Sequence, residues 1–263
     1  MRITQNNFIA RTSDSNKSHF GRALIVAGSS NMPGAAILAT RAAYAMGVGY
    51  VYHDSFSPVP DYFSACPDAI KGGLANLQDC SAFLIGPGIP AEEIAAEYIG
   101  KLVAQNKPLI LDAGALDFLS KNSLSLHENC LLTPHEGEMA RLWHCDSSKV
   151  KKSPDQFAKD TATKWNCSVL LKGATNYFYS HNQLDKISTG NPGLATAGSG
   201  DVLAGILVAL LAQKPQNFYE QILAGVDFHG YLATQWSKDK SQASLSADSL
   251  VKQIAHCLKD IEK

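Results

Sequence analysis

Short apolar runs of strand length alternate along the chain with longer segments that have helical spacing. The apolar runs end in Gly, Asp or Pro, and several carry β-branched or aromatic residues, which is typical of buried strands. They occupy residues 23–28, 48–54, 82–88, 108–114, 129–135 and 167–173, and a hairpin of two more strands is predicted at 176–181 and 184–188. Helices are predicted at residues 33–46, 91–105 and 136–143, from Gly200 onward, and at 218–235 and 247–260.

The order of these elements predicts an α/β fold. Apolar strands that alternate with helices favour a mainly parallel central sheet covered by helices on both faces. No repeat, low-complexity segment or long linker divides the sequence, so we expect one domain over residues 1–263. Ligands of open parallel sheets bind beyond the carboxyl ends of the strands. The ends of the runs should therefore meet in one crevice; they read GSS, GPG, DAG, TPHEGE and KGATN.

The composition is that of an ordinary globular protein. Of 263 residues, 45% are hydrophobic and 18% are charged, and the formal net charge is −1. This balance gives no reason to expect binding to nucleic acid or to an anionic membrane. The six scattered cysteines form no CxxC pair and are interpreted as reduced thiols. The N-terminus lacks the apolar core of a signal peptide and no apolar run is long enough to span a bilayer, so a cytoplasmic location is expected.

One segment, TAGSGDVLAGILVALLAQ at residues 196–213, places small residues and a carboxylate before an apolar helix. The N–H groups around Gly198, Ser199 and Gly200 can form a pocket for a phosphate at the helix start. Asp201 would then be placed to accept a proton from a hydroxyl that approaches the phosphate, as in phosphoryl transfer. An acid in a first helical turn can also simply stabilise the helix dipole. The small residues before it and the apolar helix after it favour the catalytic interpretation.

Three other strand ends carry candidate groups. In LLKGATN the strand ends at Lys172, which can hold a nucleotide or can be a solvated lysine. The segment is not a P-loop, because GxxxxGK[ST] is absent. In TPHEGE the helix dipole explains the two glutamates, whereas His135 is expected to contact a ligand. Asp112 fits either a magnesium ion held through water or a helix cap. No Cys/His cluster marks a metal site, so the metal ligands stay unassigned, and His53 and His229 are expected to be structural.

Taken together, these segments resemble the NAD(P)H-hydrate dehydratase family, a branch of the ribokinase-like superfamily. The matching segments, in chain order, are KSHFGRALIVAGS, PGAAILATRAAYAMGVGYV, LIGPGI, LILDAGAL, LLTPHEGEMARL, VLLKGATNYF, NPGLATAGSGDVLAGILVALLAQ and GVDFHGYLA. The resemblance implies a three-layer α/β/α sandwich that commonly assembles as a homotetramer. It also implies the repair of nicotinamide hydrates, with ADP consumed in bacteria and typically ATP in eukaryotes.

The resemblance further implies a role for each candidate residue. Asp201 would approach the hydroxyl of the hydrated ring while Gly200 and its neighbours hold the transferred phosphoryl group. The AMP portion of the nucleotide would contact Lys172, Gly173, Ala174, Thr175, Asn176 and Gly200. The hydrate site would comprise Ala35, Gly88, His135 and Asp201.

The sequence departs from the usual family form at several points. Ala197 stands where a glycine is more frequent, which would tighten the anion pocket, and the SSNMP loop before Ala35 is unusual. The epimerase domain that many bacteria fuse ahead of this module does not occur in the sequence. A separate NAD(P)H-hydrate epimerase is therefore expected as a partner, unless the cell lacks one.

We accordingly expect dehydration of the S-form of NAD(P)H hydrate, with Mg²⁺ as cofactor and NAD(P)H, AMP and phosphate as products. ADP is favoured over ATP because the chain has the short form typical of bacterial members. The alternative is an ATP-dependent small-molecule kinase of the same superfamily, which would accumulate a phosphorylated product. Asp201, Gly200 and Lys172 argue against a nucleotide-sensing protein that has lost the chemistry, although the sequence leaves it open. The choice between NADH and NADPH hydrates is not predicted.

Overall fold

The structure is a computed structural model that describes residues 2–9 and 11–261. The predicted domain also includes residues 1, 10, 262 and 263, which lie outside the described residues. The strands in the described part are β1 Arg22–Val26, β2 Tyr50–Asp54, β3 Ile70–Lys71, β4 Ala82–Ile85, β5 Leu109–Leu111, β6 Cys130–Leu132, β7 Ser168–Leu171, β8 Asn176–Ser180 and β9 Gln183–Ile187. The helices are α1 Pro33–Ala45, α2 Tyr62–Ala65, α3 Ala96–Val103, α4 Gly114–Lys121, α5 Glu136–Leu142, α6 Ser147–Lys152, α7 Pro154–Trp165, α8 Ser199–Gln213, α9 Phe218–Trp236 and α10 Ala247–Ile261.

The strands form one mainly parallel sheet in the order β3-β2-β1-β4-β5-β6-β7-β8-β9. Neighbouring strands from β3 to β7 are parallel, whereas β8 and β9 add an antiparallel hairpin beside β7. The predicted parallel sheet and the predicted hairpin are both confirmed. Because the strands from β3 to β7 run in the same direction, their carboxyl ends lie along one edge of the sheet.

Helices cover both faces of the sheet. In β1, Ala23 and Ile25 join a core formed with α1, α8, α9 and α10, whereas Leu24 and Val26 join a second core formed with α3, α4, α5 and α7. This period-two alternation is what a strand buried on both faces requires. The three-layer α/β/α architecture is confirmed.

Helix α8 is apolar on all sides because it is buried on all sides. Every residue from Val202 to Gln213 is buried, and the helix packs against α1, α9 and the sheet. A helix surrounded by other elements needs no polar face. Among the described residues, no helix is long and apolar enough to cross a membrane. All six cysteines are free thiols, as predicted.

Several helical segments differ from the sequence prediction, and the short helices α2 and α6 were not predicted at all. Residues 91–105 were expected to form one helix, but Ile94 and Ala95 adopt extended backbone between a 3-10 turn at Ala91–Glu93 and α3. This break lets Ile94 enter the core, where it is buried. Helix α7 was not predicted, because only a narrow stripe of its otherwise polar surface is buried.

Candidate functional site

The candidate site lies at the carboxyl edge of the sheet, where several strand ends are held together by backbone hydrogen bonds. The N–H of Gly28, after β1, donates to the carbonyl of Pro87, after β4, at 2.7 Å. The N–H of Lys172, after β7, donates to the carbonyl of Pro134 at 2.7 Å, and His135 pairs with Lys172 in a parallel bridge. The structure thus brings the predicted strand ends into one crevice.

A lysine surrounded by carboxylates lies at this edge, near the ends of β5, β6 and β7. Lys172 Nζ lies 2.8 Å from Asp112 Oδ1 and 4.0 Å from Glu138 Oε2. The three side chains are 18%, 4% and 7% exposed, respectively. Thr133 Oγ1 also donates to Asp112 Oδ1, at 2.7 Å. No side chain caps α4, so Asp112 belongs to the charged cluster and is not a helix cap.

The cluster shifts the pKa values of its members in ways that suit acid–base chemistry. Burial and then the nearby charge of Asp112 raise the pKa of Asp201 to about 7, although Lys172 opposes the shift. Burial also raises the pKa of Glu138. Burial lowers the pKa of Lys172, but the surrounding carboxylates outweigh it, so that the pKa is raised and the lysine stays protonated. A carboxyl group that titrates near neutral pH is well matched to a general base.

Asp201 lies in the first turn of α8, at a helix start that no side chain caps. The predicted anion pocket, which we call the anion loop (residues 198–200), precedes it. Within the described residues, the N–H groups of Gly198 and Gly200 have no backbone acceptor. A Cβ atom built on Gly200 would lie 3.7 Å from Lys172 Nζ, so the loop faces the lysine. Free N–H groups at a helix start beside a cation favour binding of an anion.

Ser199 differs from its two glycine neighbours, because its polar groups already have partners within the protein. Its N–H donates to the carbonyl of Thr196 at 3.3 Å, and its hydroxyl lies 3.3 Å from Nε2 of His229. Gly198 has a φ of +87° and packs so closely that an added Cβ would lie 2.6 Å from Leu38. An anion can therefore accept hydrogen bonds from the amides of Gly198 and Gly200 more readily than from the amide of Ser199.

His135 is the N-cap of α5, a role that the sequence did not assign to it. Its Nδ1 accepts hydrogen bonds from the N–H groups of Gly137 and Glu138 at 3.0 and 3.3 Å, and Glu138 Oε2 accepts from the N–H of His135 at 2.8 Å. This reciprocal arrangement is a capping box. The ring is 55% exposed, and because Nδ1 accepts, only Nε2 remains to donate to a ligand.

Glu138 is a candidate site residue that the sequence interpretation missed. Both glutamates of TPHEGE were assigned to the helix start, but Glu136 forms a surface ion pair with Lys151, whereas Glu138 is buried beside Lys172. The spacing of a capping residue and a glutamate three positions later, directly after a strand, is the signal that could have identified it.

Close backbone contacts bring Ala35 and Gly88 together. Gly88 has a φ of +67°, and a Cβ added to it would lie 2.7 Å from Cβ of Ala35 and 2.8 Å from the carbonyl oxygen of Met32. Ser29, which follows Gly28, is only 2% exposed, and its hydroxyl has no hydrogen-bond partner within residues 2–9 and 11–261. A buried polar group without a partner calls for an explanation, such as a ligand or a water molecule. The sequence interpretation did not include Ser29.

The predicted AMP segment forms a tight loop between β7 and β8. The N–H of Gly173 donates to Asn176 Oδ1 at 3.2 Å, and the hydroxyl of Thr175 lies 3.1 Å from that of Ser188. Gly173 and Ala174 are exposed at the mouth of the crevice. Lys172 turns away from this loop and joins the carboxylate cluster, so the five residues do not share one surface.

The carboxylates of the charged cluster fit a magnesium ion that binds together with a nucleotide, but not one held by protein side chains alone. No group of three or more His, Cys, Asp or Glu side chains in the described part of the chain is arranged to hold a metal ion. The ammonium of Lys172 already contacts Asp112. Mg²⁺ commonly keeps several waters and binds through one or two carboxylates and substrate phosphates. Asp112 and Glu138 fit such a role.

Comparison with known proteins identifies the family. The family model described as NAD(P)H-hydrate dehydratase matches residues 23–256. The chain belongs to the NAD(P)H-hydrate dehydratase family. One family member, the ADP-dependent (S)-NAD(P)H-hydrate dehydratase of Neisseria meningitidis, is 34% identical over 94% of this chain and 87% of the relative. The chain spans about half the length of the bifunctional NAD(P)H-hydrate repair enzymes that it also matches.

Solved structures agree with this assignment. The ADP/ATP-dependent NAD(P)H-hydrate dehydratase of Bacillus subtilis, co-crystallised with ATP and Mg²⁺, has a TM-score of 0.85 and 28% identity, over 99% of this chain and 95% of that one. A ribokinase-like superfamily protein from Enterococcus faecalis has a TM-score of 0.82 and 25% identity, over 98% and 95% of the two chains. The ribokinase-like fold of the family is thereby confirmed for this chain.

Proposed function

We propose that the protein is an ADP-dependent dehydratase that converts the S-form of NAD(P)H hydrate back to NAD(P)H. The observation that carries this proposal is the position of Asp201, a carboxyl group with a raised pKa between the free amides of the anion loop and the ammonium of Lys172. This arrangement supplies a base, an anion site and a cation at one point. Family membership supports the choice of substrate.

Asp201 acts as the general base. It accepts the proton of the ring hydroxyl while that oxygen attacks the terminal phosphorus of ADP, so an O–P bond forms and the bond to AMP breaks. The phosphorylated hydrate then loses phosphate, which is a better leaving group than hydroxide, as the ring nitrogen donates its electron pair and forms an iminium. Transfer of a proton from the neighbouring ring carbon to the departing phosphate then restores the dihydronicotinamide. The products are NAD(P)H, AMP and phosphate, and the proton leaves through Asp201.

The neighbouring groups stabilise charge and position the reactants. The amides of Gly198 and Gly200 bind the transferred phosphoryl group, and Lys172 lies close enough to offset its negative charge. Magnesium, when bound with the nucleotide, would neutralise further charge on the phosphates, held by Asp112 and Glu138 through water. The loop from Gly173 to Asn176 holds the AMP portion at the mouth of the crevice.

The hydrate lies against the backbone near Ala35 and Gly88. The close approach of these residues leaves a surface without protruding side chains, onto which a flat ring can pack. The Nε2 atom of His135 and the hydroxyl of Ser29 are the polar groups that orient the ring.

Residues 1–263 act as one domain, and the protein assembles as a homotetramer in the cytoplasm. A separate epimerase activity converts the R-form of the hydrate into the S-form.

Absorbance at the dihydronicotinamide band tests the proposal. Purified protein is mixed with Mg²⁺ and the S-form of NADH hydrate, with ADP, with ATP or without nucleotide. A rise that requires ADP is expected. A rise only with ATP would retain the reaction but change the donor, whereas no rise from folded protein that binds nucleotide would favour the kinase alternative.

A further inference from the structure

Helix α9 carries buried polar groups that the proposed chemistry does not use. Asp227 and His229 are both buried in the middle of this helix. Near them the helix also presents Gly230, where an added Cβ would lie 2.2 Å from the carbonyl oxygen of Thr189. A buried aspartate and a buried histidine without a catalytic contact call for a structural or functional reason.

These groups contact the segment that leads into the anion loop. The hydroxyl of Thr189 donates a short hydrogen bond to Asp227, and the side-chain amide of Asn191 donates to the carbonyl of Ala233 at 2.8 Å. Ser199, in the loop itself, lies 3.3 Å from His229. Residues 189–199 are thus attached to α9 at both ends.

The contact between His229 and Ser199 is the one closest to the chemistry. Ser199 directly precedes Gly200, and Asp201 follows in the same helical turn. Burial lowers the pKa of His229 to about 4, so its ring is neutral near neutral pH. A neutral ring can hold the serine hydroxyl in one orientation without adding charge beside Lys172.

We infer that His229 is a positioning residue, which through Ser199 holds the anion loop and Asp201 in place for phosphoryl transfer. This inference rests on the proposed function. In this role His229 acts on the first turn of α8 through its contact with Ser199 and does not bind the substrate itself. A small displacement of a positioned reacting group can cost a large factor in rate even when binding is little affected.

An isosteric pair of substitutions tests the role of the ring nitrogen. The amide of His229→Gln reaches the place of Nε2 and can bond to Ser199, whereas His229→Met has a similar length but no such bond. We expect kcat to fall on the order of tenfold in His229→Met, with little change in the KM for ADP, and His229→Gln to recover most of kcat. Equal kcat values for the two variants would overturn the inference.

The second test separates positioning from stability. Ser199→Ala should lower kcat by a similar factor, and His229→Met should lower it no further in that background, because the two side chains act through one contact. Gln221 is a matched control: it is buried in the same helix but bonds to Asn7 and to the carbonyl of Leu210. Gln221→Met should lower the melting temperature and leave kcat unchanged. Additive effects of Ser199→Ala and His229→Met on kcat would contradict the inference. If His229→Met does not fold, a Ser199→Ala enzyme with the kcat of the parent protein would contradict it instead.

A readout without turnover distinguishes this inference from the proposed function. Hydrogen–deuterium exchange of residues 189–203 should be faster in His229→Met than in the parent protein and should not change at this segment in Gln221→Met. If the parent protein lacks dehydratase activity but this difference is found, the proposed function fails and the positioning role stands. If the parent protein is active and exchange is unchanged, the positioning role fails alone.

Discussion

The ammonium nitrogen of Lys172 lies 2.8 Å from a carboxylate oxygen of Asp112, although the two residues are 60 positions apart in the chain. Strands β5, β6 and β7 are adjacent in the sheet, so their ends bring this pair together. Glu138 and Asp201 complete a buried cluster in which one cation faces three carboxyl groups. The protonation of these carboxyl groups therefore depends on the lysine.

Removing the lysine should destabilise the fold. In Lys172→Met, Asp112 and Glu138 lose their cation, and breaking a buried ion pair from one side typically costs about 3–5 kcal/mol. We expect a loss of roughly this size in the free energy of unfolding measured in urea. Lys101→Met, which removes an exposed lysine paired with Glu97, should change it little. A Lys172→Met protein as stable as the parent would show that the cluster protonates at little cost.

Removing the carboxylate of Asp201 should nearly abolish turnover. Asp201→Asn keeps the shape of the side chain but cannot accept the hydroxyl proton, and the loss of one preorganised group of this kind costs on the order of 10²–10³ in kcat. Binding of ADP, measured by calorimetry, should be retained. Asp248→Asn, at an exposed acid in α10, serves as the control and should leave kcat unchanged. Near-normal turnover in Asp201→Asn would exclude the role as base.

The raised pKa of Asp201 makes both activity and stability depend on pH. The value of about 7 lies above the ordinary value of 3.8, so between these two pH values the folded protein holds a proton that the unfolded chain releases. The contribution of this group to stability therefore falls as the pH rises from about 4 to about 7. Without nucleotide, Asp201→Asn should unfold at a higher temperature than the parent at pH 8, and the difference should vanish near pH 4. For the parent enzyme, kcat/KM should rise with pH through about 7 as the base ionises.

The sequence predicted well which strand ends meet at one edge of the sheet, because small and polar residues at strand ends are a local pattern. Gly88, Asp112, His135 and Lys172 each follow a run that proved to be a parallel strand. The position of Asp201 in the first turn of a helix was equally local. These predictions required only that the strands be parallel, and the alternation of strands with helices indicates that they are.

The partners of these residues could not be predicted, since they depend on which strands are adjacent. Nothing near Lys172 in the sequence indicates that it faces Asp112. The HxxE spacing marks Glu138 and not Glu136 as a capping glutamate, but it fits an exposed helix start as well as a buried cluster. The approach of Glu138 to Lys172 could therefore not be predicted. Helix α7 was missed for a related reason: it buries one narrow stripe, and its lysines and threonines obscure the apolar periodicity.

The close backbone contacts at Gly88 should make the hydrate site sensitive to a single methyl group. In Gly88→Ala the new Cβ would meet Ala35 and the Met32 carbonyl at 2.7 and 2.8 Å, at a φ of +67°. We expect the KM for the hydrate to rise more than the KM for ADP, measured in initial rates. Gly100→Ala is the matched control, because nothing lies within 4 Å of its added Cβ, and it should stabilise α3 by about 0.5–1 kcal/mol. An unchanged KM for the hydrate in folded Gly88→Ala would place the hydrate elsewhere.

The buried hydroxyl of Ser29 should act on substrate binding. If the hydrate supplies the partner that this group lacks, Ser29→Ala loses one hydrogen bond, which is worth about 0.5–1.5 kcal/mol. The KM for the hydrate should then rise by up to about tenfold while kcat is retained. Ser168→Ala, at a similarly buried serine at the opposite end of the sheet, tests the effect of losing a hydroxyl far from the site. Equal KM values for the two variants would argue that water completes the hydrogen bonds of Ser29.

The site draws its groups from the ends of β1, β4, β5, β6 and β7 and from the start of α8, so they are distributed over residues 28–201. A cut of the backbone anywhere in this interval places essential partners on different fragments. A fragment that ends before residue 201 has no base, and one that begins after residue 112 lacks Asp112, the carboxylate that lies 2.8 Å from Lys172. Activity in a cleaved preparation would therefore require the fragments to reassemble around the whole sheet. Turnover thus measures whether the entire chain is intact or reassembled, and not whether any one segment is folded.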